Sequence, residues 1–325
     1  MKLVVTDSSY RNKGFVKRFA LDMAFGSDEN DFTLTVPCGT EIEVGSLVYV
    51  PGTEWGGLVR EPWTVSEDGE AYRVYHGPTW HGLMEDRILY PDPGVDYLTV
   101  SGDANDAIRS LVNRVGLQSV FEAAPPCGIQ VSSWQFDHDS TYLYGGLMKM
   151  LESVGCILDI RRGTTGKTVL GAIPTPRHID RSSKTGFRLK RFHPKNHLKC
   201  LGKGELKDRI CVDLYASKAG NVSQTQSIFG IDVSEEIYDL ASAEREELIE
   251  QGTKHLKELQ VFSEAKLKLP EGRDYRVGSI VGKSDPRARV SVTAKVGKMI
   301  VKLYSSGTYD IQATLDDESI EWKED

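Results

Sequence analysis

The sequence predicts an α+β chain that is mainly antiparallel β, with two small β-barrel-like domains and α/β segments. Three observations support this class. Short apolar or alternating segments separated by glycines fill residues 1–75. Helical spacings are confined to the middle of the chain and to one stretch near residue 250, and alternating segments return from Val277 to the end. Because 325 residues are many for one hydrophobic core, we expect two or three domains.

The first predicted domain, residues 1–95, is a barrel-like β domain. Residues 32–36 and 46–50 have the alternating or buried pattern of strands. Two further strands, at 62–65 and 71–75, are separated by Gly69 and form a predicted hairpin. A short helix is expected to begin at Trp80 and to include Ile88 before Pro91.

The second predicted domain, residues 96–185, contains two helices and a hairpin. Asp103 is the expected N-cap of a helix over 104–115 that ends before Gly116. The other helix begins after Ser140, carries apolar residues through 143–154 and stops at Gly155. Two glycines inside this helix, Gly145 and Gly146, cost about 1 kcal/mol each relative to alanine unless close packing compensates.

Residues 163–168, GTTGKT, resemble the end of a phosphate-binding loop. That motif needs a glycine at position 161, which is arginine here, and a helix after the Lys-Thr pair. Instead, the stretch VLGAIPTP follows, and its β-branched residues and prolines disfavour a helix. The alternating segment 156–161 precedes it, so we predict a β-hairpin turn.

The third predicted domain, residues 186–325, is a second barrel-like β domain with a long amphipathic helix. The helix is expected over about 241–259, with Leu248, Gly252, Leu256 and Leu259 on one apolar face. Strands are predicted at 210–215, around 290–296 and over 299–304. The sequences VGSLV at 44–48 and VGSIV at 277–281 are similar. The prediction includes the case in which each barrel is formed by separate parts of the chain.

Bulk properties exclude several classes of protein. No apolar run approaches the roughly 18 residues of a membrane span, and the N-terminus lacks a signal-peptide core, so we expect no membrane insertion. The five cysteines contain no CxxC pair and are interpreted as reduced thiols of a cytosolic chain.

Charge is distributed unevenly although the net charge is only −7. Residues 181–211 contain ten Lys or Arg and two acids, whereas residues 232–260 contain nine acids and three bases. The basic stretch predicts either a contact with nucleic acid or pairing with an acidic segment, in the same chain or in another subunit. Its candidate interface or lumen residues are Arg188, Lys190, Arg191, Lys195 and Lys199.

Catalytic and metal patterns are weak throughout the chain. The stretch Asp137-His138-Asp139 precedes a helix, where aspartates commonly act as caps. His193 and His197 are four residues apart, which is the spacing of the two histidines in zinc proteases. Pro194 between them and the lack of an adjacent glutamate do not fit that motif. We therefore predict a protein that is not an enzyme and that has no metal, no cofactor and no catalytic residues.

Three stretches together resemble a known protein family. They are YHGPTWHGLMEDRI at 75–88 with DYLTVSGDAN at 96–105, NHLKCLGKGEL at 196–206 with Arg209 and the strand to Tyr215, and GNVSQ at 220–224 with IYD at 237–239 and the helix that follows. In this order they are similar to the baseplate-hub or tail-associated proteins of long-tailed bacteriophages and their prophage relatives.

The resemblance implies a structural role in the tail. It implies a homotrimeric ring that closes the tip of the tail tube, with two similar β domains per chain fitting a hexameric tube or distal tail protein. The tape-measure protein and DNA in transit are further expected partners. The expected location is the virion tail tip, after assembly in the host bacterial cytoplasm. The expected member of the family is a hub-only form.

Two alternatives remain open at this stage. The first is a peptidoglycan hydrolase, which zymography would detect. The second is a receptor- or carbohydrate-binding tail-tip protein, in which Trp55, Trp63 or Trp80 stacks on sugars. Tryptophan in a β domain is more often part of the core.

Overall fold

A computed structural model of the chain describes residues 2–67, 69–137, 141–180, 187–191, 194–217, 220–259, 263–267, 275–285 and 290–322. The chain divides into two compact units. The larger unit comprises Met1–Ser182, Leu269–Asp285 and Thr293–Ser319, and the smaller unit comprises Ser183–Lys268, Pro286–Val292 and Ile320–Asp325. Most strand pairs are antiparallel, and the predicted α+β class is confirmed.

In the described residues, long β regions alternate with four α-helices. The strands are β1 Leu3–Thr6, β2 Asn12–Val16, β3 Ala20–Gly26, β4 Asp31–Pro37, β5 Leu47–Tyr49, β6 Gly56–Leu58, β7 Glu61–Glu67, β8 Glu70–Pro78, β9 Thr99–Asp103, β10 Phe121–Ala123, β11 Gln130–Gln135, β12 Cys156–Arg162, β13 Thr168–Pro174, β14 Arg177–Asp180, β15 Phe187–Arg191, β16 His197–Leu201, β17 Cys211–Ala216, β18 Val222–Ser223, β19 Glu235–Asp239, β20 Ser263–Leu267, β21 Ile280–Asp285, β22 Val290–Tyr304 and β23 Tyr309–Trp322. The helices are α1 Trp80–Glu85, α2 Ala104–Arg114, α3 Leu143–Ser153 and α4 Arg245–Glu258.

One eight-stranded sheet joins the first and last thirds of the chain. Its order is β14-β21-β22-β3-β4-β8-β7, and β23 pairs with β22 beside this path. Within the described residues the path is open, with β14 and β7 at its ends, so barrel closure remains a prediction. The division at residues 95 and 185 also remains a prediction. The join itself is antiparallel, with Lys302 on β22 opposite Asp22 on β3.

The segment predicted as two strands near 290–296 and 299–304 is one continuous strand, β22. At Gly297 the chain at the end of β3 approaches β22 closely. The carbonyl of Gly297 accepts a hydrogen bond from the Ser27 amide at 3.0 Å. A Cβ atom added to Gly26 would lie 2.1 Å from the same oxygen.

Helix α1 ends at Glu85 and is shorter than predicted, because the residues after it pair with another segment. The Leu89 amide donates to the Thr141 carbonyl at 2.8 Å, and the Leu143 amide donates to the Arg87 carbonyl at 2.7 Å. Ile88 consequently forms an isolated bridge with Tyr142 instead of a further helical turn. This pairing also positions the start of α3.

Helices α2 and α3 lie where they were predicted. Asp103 caps α2 through a hydrogen bond from the Asn105 amide to its Oδ1 at 2.9 Å, and Gly116 follows the helix with a φ of +76°. In α3, a Cβ atom on Gly146 would approach the Thr141 side chain to 2.8 Å, whereas Gly145 faces open space. The expected close packing therefore applies to only one of the two glycines.

The core of the larger unit lies between these helices and the neighbouring strands. Its fully buried members include Trp80, Ile108, Leu147, Leu151 and Leu170. Three smaller sheets border it, with orders β2-β1-β5-β6, β10-β13-β12 and β11-β9. The parallel pair β10–β13 is one of the few departures from antiparallel pairing.

The smaller unit contains the four-stranded sheet β18-β17-β16-β19, with α4 packed on one face. Leu248 and Leu256 of α4 are buried there, as predicted. A Cβ atom on Gly252 would lie 2.6 Å from Cys200 Sγ, so glycine permits close approach of helix and sheet. Helix α4 begins at Arg245 rather than near Ala241. The turn before the helix is held in place because the Ala243 carbonyl accepts a hydrogen bond at 3.0 Å from the amide of Lys203, which follows β16.

Across the described ranges, no helix combines the length and apolar character needed to cross a membrane.

Candidate functional site

The GTTGKT stretch forms the turn of the hairpin β12–β13, as predicted. Arg162 lies opposite Thr168 in this hairpin. The turn is fixed on the N-terminal sheet through Asn12, whose Nδ2 donates to the Thr164 carbonyl at 2.7 Å and whose Oδ1 accepts from the Tyr49 hydroxyl at 2.9 Å. Lys167 donates to the Gln118 carbonyl at 2.6 Å, so its amine is engaged by the protein backbone.

Arg162 stands directly before this turn and is 2% exposed. Its guanidinium carbon lies 4.6 Å from the centre of the Tyr49 ring and 5.7 Å from that of Trp80. Its Nη1 donates to Thr168 Oγ1 at 3.1 Å. Cation–π contacts thus replace part of its hydration, and the residue acts in packing rather than in phosphate binding.

The weak metal patterns of the sequence do not assemble in the described residues, where no group of three or more His, Cys, Asp or Glu side chains could hold an ion. Asp137 lies 3.7 Å from the Lys149 amine. His138 and His193 lie outside the described residues. His197 has carboxylate oxygens beside both ring nitrogens, Glu235 at 2.6 Å and Asp213 at 2.9 Å.

A buried histidine that sequence reasoning missed lies in the larger unit. His81 on α1 stacks on Phe25 at 4.5 Å and meets the Tyr144 ring edge-on at 5.3 Å. Its Nε2 is 4.0 Å from the Glu54 carboxylate. Burial lowers the pKa of His81 from 6.5 to about 3, so the ring is neutral at physiological pH. In the sequence, only the helical spacing of the neighbouring apolar residues indicated that His81 lies on a buried helix.

Two adjoining hollows lie along α3 in the larger unit, with volumes of about 400 and 350 Å³. Met148, Glu152 and Lys295 line both of them. The carboxylate of Glu152 is 2.8 Å from the Lys295 amine. The charged groups shared by the two hollows therefore neutralise each other.

The predicted basic residues lie on two sheets of the smaller unit. The Lys195 amine donates to the Glu235 carbonyl at 2.7 Å, and the Lys199 amine lies 3.9 Å from Asp213. Arg188, Lys190 and Arg191 belong to strand β15, which pairs with β20. The structure describes the backbone of these three residues but not their side chains. An interface or lumen role for the five basic residues remains a proposal.

Where the structure describes them, basic and acidic segments meet within the same chain. Lys203 forms an ion pair with Glu244 at 2.6 Å, and Arg209 pairs with Asp239. Both pairs join the predicted basic stretch to the acidic stretch 232–260. Intrachain pairing was one of the two interpretations that the sequence left open.

An exposed apolar surface lies beside the acidic strand β19. Phe229 and Ile237 are each 67% exposed and Ile231 is fully exposed. These three residues occur within nine positions, and Glu235 and Asp239 lie in the same region. Groups of exposed apolar side chains are a feature of interaction surfaces. We call residues 229–239 the 229–239 segment.

The first VGS word forms a turn of defined geometry. Gly45 has a φ of +88°, which favours glycine, and Ser46 is fully buried. The Gly45 amide donates to the Val59 carbonyl at 2.9 Å, and the Val59 amide donates back to the Ser46 carbonyl at 2.9 Å.

The second VGS word repeats this geometry. Gly278 has a φ of +87°, and Ser279 is fully buried. The Gly278 amide donates to the Val296 carbonyl at 2.7 Å, and the Val296 amide donates to the Ser279 carbonyl at 2.9 Å. The tripeptide Val-Gly-Ser therefore forms the same pair of backbone hydrogen bonds in the first and in the last third of the chain.

The three tryptophans considered as sugar-stacking residues differ in exposure. Trp80 is fully buried in the core and Trp63 is 44% exposed, with Trp55 between them. Trp63 lies on the edge strand β7, with its ring centre 6.4 Å from that of His76. Any stacking on a sugar ring would thus depend mainly on Trp63.

No protein-family model matches the chain, and no curated protein matches its sequence. Solved structures that are similar to it along nearly its whole length include the following three. The tail protein from Neisseria meningitidis MC58 is 12% identical, with 97% of this chain and 96% of that chain covered and a TM-score of 0.45. Prophage tail protein gp18 from Listeria monocytogenes EGD-e is 14% identical, with coverage of 97% and 94% and a TM-score of 0.46. The 43 kDa tail protein of prophage MuSo2 from Shewanella oneidensis is 11% identical, with coverage of 97% and 98% and a TM-score of 0.46.

Proposed function

We propose that this chain is a structural component of a bacteriophage or prophage tail that forms the baseplate hub at the tip of the tail tube. Its role is assembly and closure of the tube, and it makes or breaks no covalent bond. The three solved structures reported above bear tail-protein names, which agree with this proposal. Its support comes from the sequence stretches that resemble hub proteins and from the repeated VGS turns.

The repeated turns are the observation that carries the proposal. Gly45 with Ser46 and Gly278 with Ser279 form equivalent hydrogen-bond pairs in strands that belong to the first and last thirds of the chain. Two related β regions per chain give six equivalent positions when three chains form a ring. Such a ring matches the six-fold symmetry of a tail tube or a distal tail protein.

Sheet edges supply a means of joining the subunits. Strands β7 and β14 end the eight-stranded path within the described residues. Unpaired strand edges are a liability in a monomer and are removed by pairing with a neighbour. Interfaces of this obligate kind bury roughly 2,000 Å² or more in total. The tape-measure protein and DNA in transit are the expected contents of the enclosed passage.

The mass and shape of the purified chain test the ring. Sedimentation is expected to give about three times 36.1 kDa, and electron microscopy to show closed rings with three-fold symmetry. A second test removes the coding sequence from the phage or prophage genome that carries it. The expected result is particles without functional tails, restored by a plasmid copy. Normal tails from the deletion would contradict the proposal.

Two enzymatic or binding alternatives are tested with the same preparation. A cleared band in a zymogram on peptidoglycan would contradict a purely structural role. Binding of the protein to host cells or to immobilised cell-wall sugars, lost in Trp63→Ala and kept in Trp55→Ala, would support a receptor-binding tail-tip component. Trp63 is the sharper choice because its ring is the more accessible to a ligand.

A further inference from the structure

Strand β19 ends the four-stranded sheet within the described residues of the smaller unit, and three of its five side chains are carboxylates. It pairs in parallel with β16 over its whole length. Each carboxylate has a partner elsewhere in the unit. Asp239 pairs with Arg209, whereas the partners of Glu235 and Glu236 are histidines. The attachment of β19 to its sheet therefore involves two side chains that titrate.

The first of these side chains, His197 on β16, lies between two carboxylates. Its Nδ1 is 2.6 Å from Glu235 Oε1, and its Nε2 is 2.9 Å from Asp213 Oδ1 on β17. The ring is stacked on that of Tyr215 with centres 4.5 Å apart, and the side chain is 13% exposed. An ionised carboxylate only accepts hydrogen bonds, whereas a neutral imidazole has a single N–H to donate. Only the doubly protonated ring can therefore donate to both carboxylates.

The second side chain, His255 on α4, has the same type of surroundings. Its Nε2 is 3.6 Å from Glu236 Oε1 on β19, and its Nδ1 is 3.8 Å from Glu258 Oε2. Its ring is stacked on that of Tyr238, with centres 4.7 Å apart. Successive residues of a strand point to opposite faces, so Glu235 and Glu236 lie on opposite faces of the sheet. A histidine thus contacts β19 on each face.

We propose that protonation of His197 and His255 controls how firmly β19 is attached to its sheet, so that the strand separates from β16 more often as the pH rises. We call these two residues the histidine pair. The 229–239 segment, which includes β19, is the part of the smaller unit that such opening would release. This inference does not depend on a tail function, because it concerns only the stability of one edge strand.

The other charged groups around the histidine pair ordinarily keep their charge between pH 6 and 8.5. The Lys199 amine is 3.9 Å from Asp213, and the Lys195 amine donates to the Glu235 backbone carbonyl at 2.7 Å. Lysine, arginine, tyrosine and carboxylate side chains normally titrate outside this interval, whereas histidine normally changes its charge between about pH 5 and 8. A change in the attachment of β19 over this interval is therefore assigned to the histidine pair.

The direction of the effect follows from the partners of the two rings. The carboxylates favour the charged rings in the folded chain, and the unfolded chain lacks this arrangement. Stability supplied by the histidine pair is consequently present while the rings are charged and is lost as the pH rises. His81 in the larger unit has the opposite effect, because burial favours its neutral form.

Hydrogen exchange of the full chain, measured by mass spectrometry, tests the proposal. The observable is the protection factor of the amides in β16 and β19, which is the ratio of intrinsic to observed exchange rate and so corrects for faster intrinsic exchange at higher pH. Between pH 6 and 8.5 we expect this factor to fall about fivefold, as two partly exposed ion pairs are lost. The amides of β12 in the larger unit are the internal reference and are not expected to lose protection.

Glutamine variants separate the histidine pair from other effects of pH. The double variant His197→Gln/His255→Gln keeps a neutral amide donor at both positions. Its protection of β16 and β19 at pH 6 is expected to match that of the wild type at pH 8.5 and to be equal at both pH values. His76→Gln in the larger unit, where the ring neighbours Trp63, is the matched control. It is expected to keep the wild-type pH dependence in β16 and β19.

Circular dichroism checks the folding of each variant. If the double variant does not fold, Glu235→Gln/Glu236→Gln serves instead, since it removes the negative charges that face the rings at partly exposed positions. We expect this variant to lose most of the pH dependence as well.

The charge of the rings is read directly by ¹⁵N NMR of a chain labelled at histidine, with signals assigned from the single glutamine variants. At pH 6 both ring nitrogens of His197 are expected to be protonated. A neutral His197 ring at pH 6, equal protection of β19 at both pH values, or a pH dependence that persists in the folded double variant would overturn the inference.

Discussion

Arg162 lies with its guanidinium carbon 4.6 Å from the centre of the Tyr49 ring, and this contact joins two sheets of the larger unit. Arg162 ends β12, and Tyr49 ends β5 of the N-terminal sheet. The backbone strengthens the junction, because the Gly52 amide donates to the Arg162 carbonyl at 2.7 Å. The sequence that resembles a phosphate-binding loop is thus anchored to a neighbouring sheet.

Loss of this arginine is expected to destabilise the fold. We expect Arg162→Ala to lower the free energy of unfolding by about 2–3 kcal/mol, because it removes two cation–π contacts and leaves a cavity. The neighbouring Arg161 pairs with Asp159 at the surface, and Arg161→Ala is expected to change stability by about 0.5 kcal/mol or less. Urea unfolding of the two variants measures both values. Equal effects would contradict a packing role for Arg162.

Acid is expected to destabilise the protein through His81. The pKa of this residue is about 3 in the folded chain and near 6.5 when unfolded. Between these values the unfolded chain binds a proton that the folded chain does not, so the free energy of unfolding falls as the pH falls. This contribution is at most about 5 kcal/mol, which is the free-energy equivalent of the difference between the two pKa values.

The variant His81→Leu isolates this contribution because other titrating groups are common to both proteins. We expect its stability to depend less steeply on pH than that of the wild type between pH 6 and 4, measured by urea unfolding at each pH. Parallel curves for the two proteins would show that His81 does not contribute.

Two adjacent glycines in α3 provide a matched pair of substitutions. Gly145→Ala is expected to stabilise the protein by about 0.5–1 kcal/mol, because alanine is the better helix former and its Cβ meets open space. Gly146→Ala is expected to destabilise it, because the new Cβ would lie 2.8 Å from Thr141 and 3.1 Å from Phe136. Thermal melting of both variants is sufficient, and the same sign of change for both would contradict this packing.

The two VGS turns are expected to differ in their sensitivity to substitution. Both Gly45 and Gly278 have positive φ, so alanine at either costs roughly 1 kcal/mol of backbone strain. At Gly278 the Cβ would also lie 2.7 Å from Ile157, whereas at Gly45 the nearest atom is 3.7 Å away. We therefore expect Gly278→Ala to lower the melting temperature more than Gly45→Ala. The reverse order would contradict the observed packing.

Local patterns in the sequence predicted the four helices of the described residues, the GTTGKT turn and several of the strands. The N-cap at Asp103, the hairpin around residues 163–167 and the buried stripe Leu248-Gly252-Leu256 were all predicted correctly, because nearby residues decide them. The boundaries of α1 and α4 were wrong where distant segments took the backbone hydrogen bonds. Ile88 illustrates this, since its bridge to Tyr142 replaces a helical turn.

The sequence by itself determined the α+β class, the turn at GTTGKT and the uneven distribution of charge, because these follow from periodicity and composition. Only the tertiary structure decided that β22 pairs with β3, that His81 lies between Phe25 and Tyr144, and that β19 pairs with β16. These relationships join residues far apart in the chain. The energy of burial and of backbone pairing that selects them depends on which surfaces meet in space, and no local pattern contains that information.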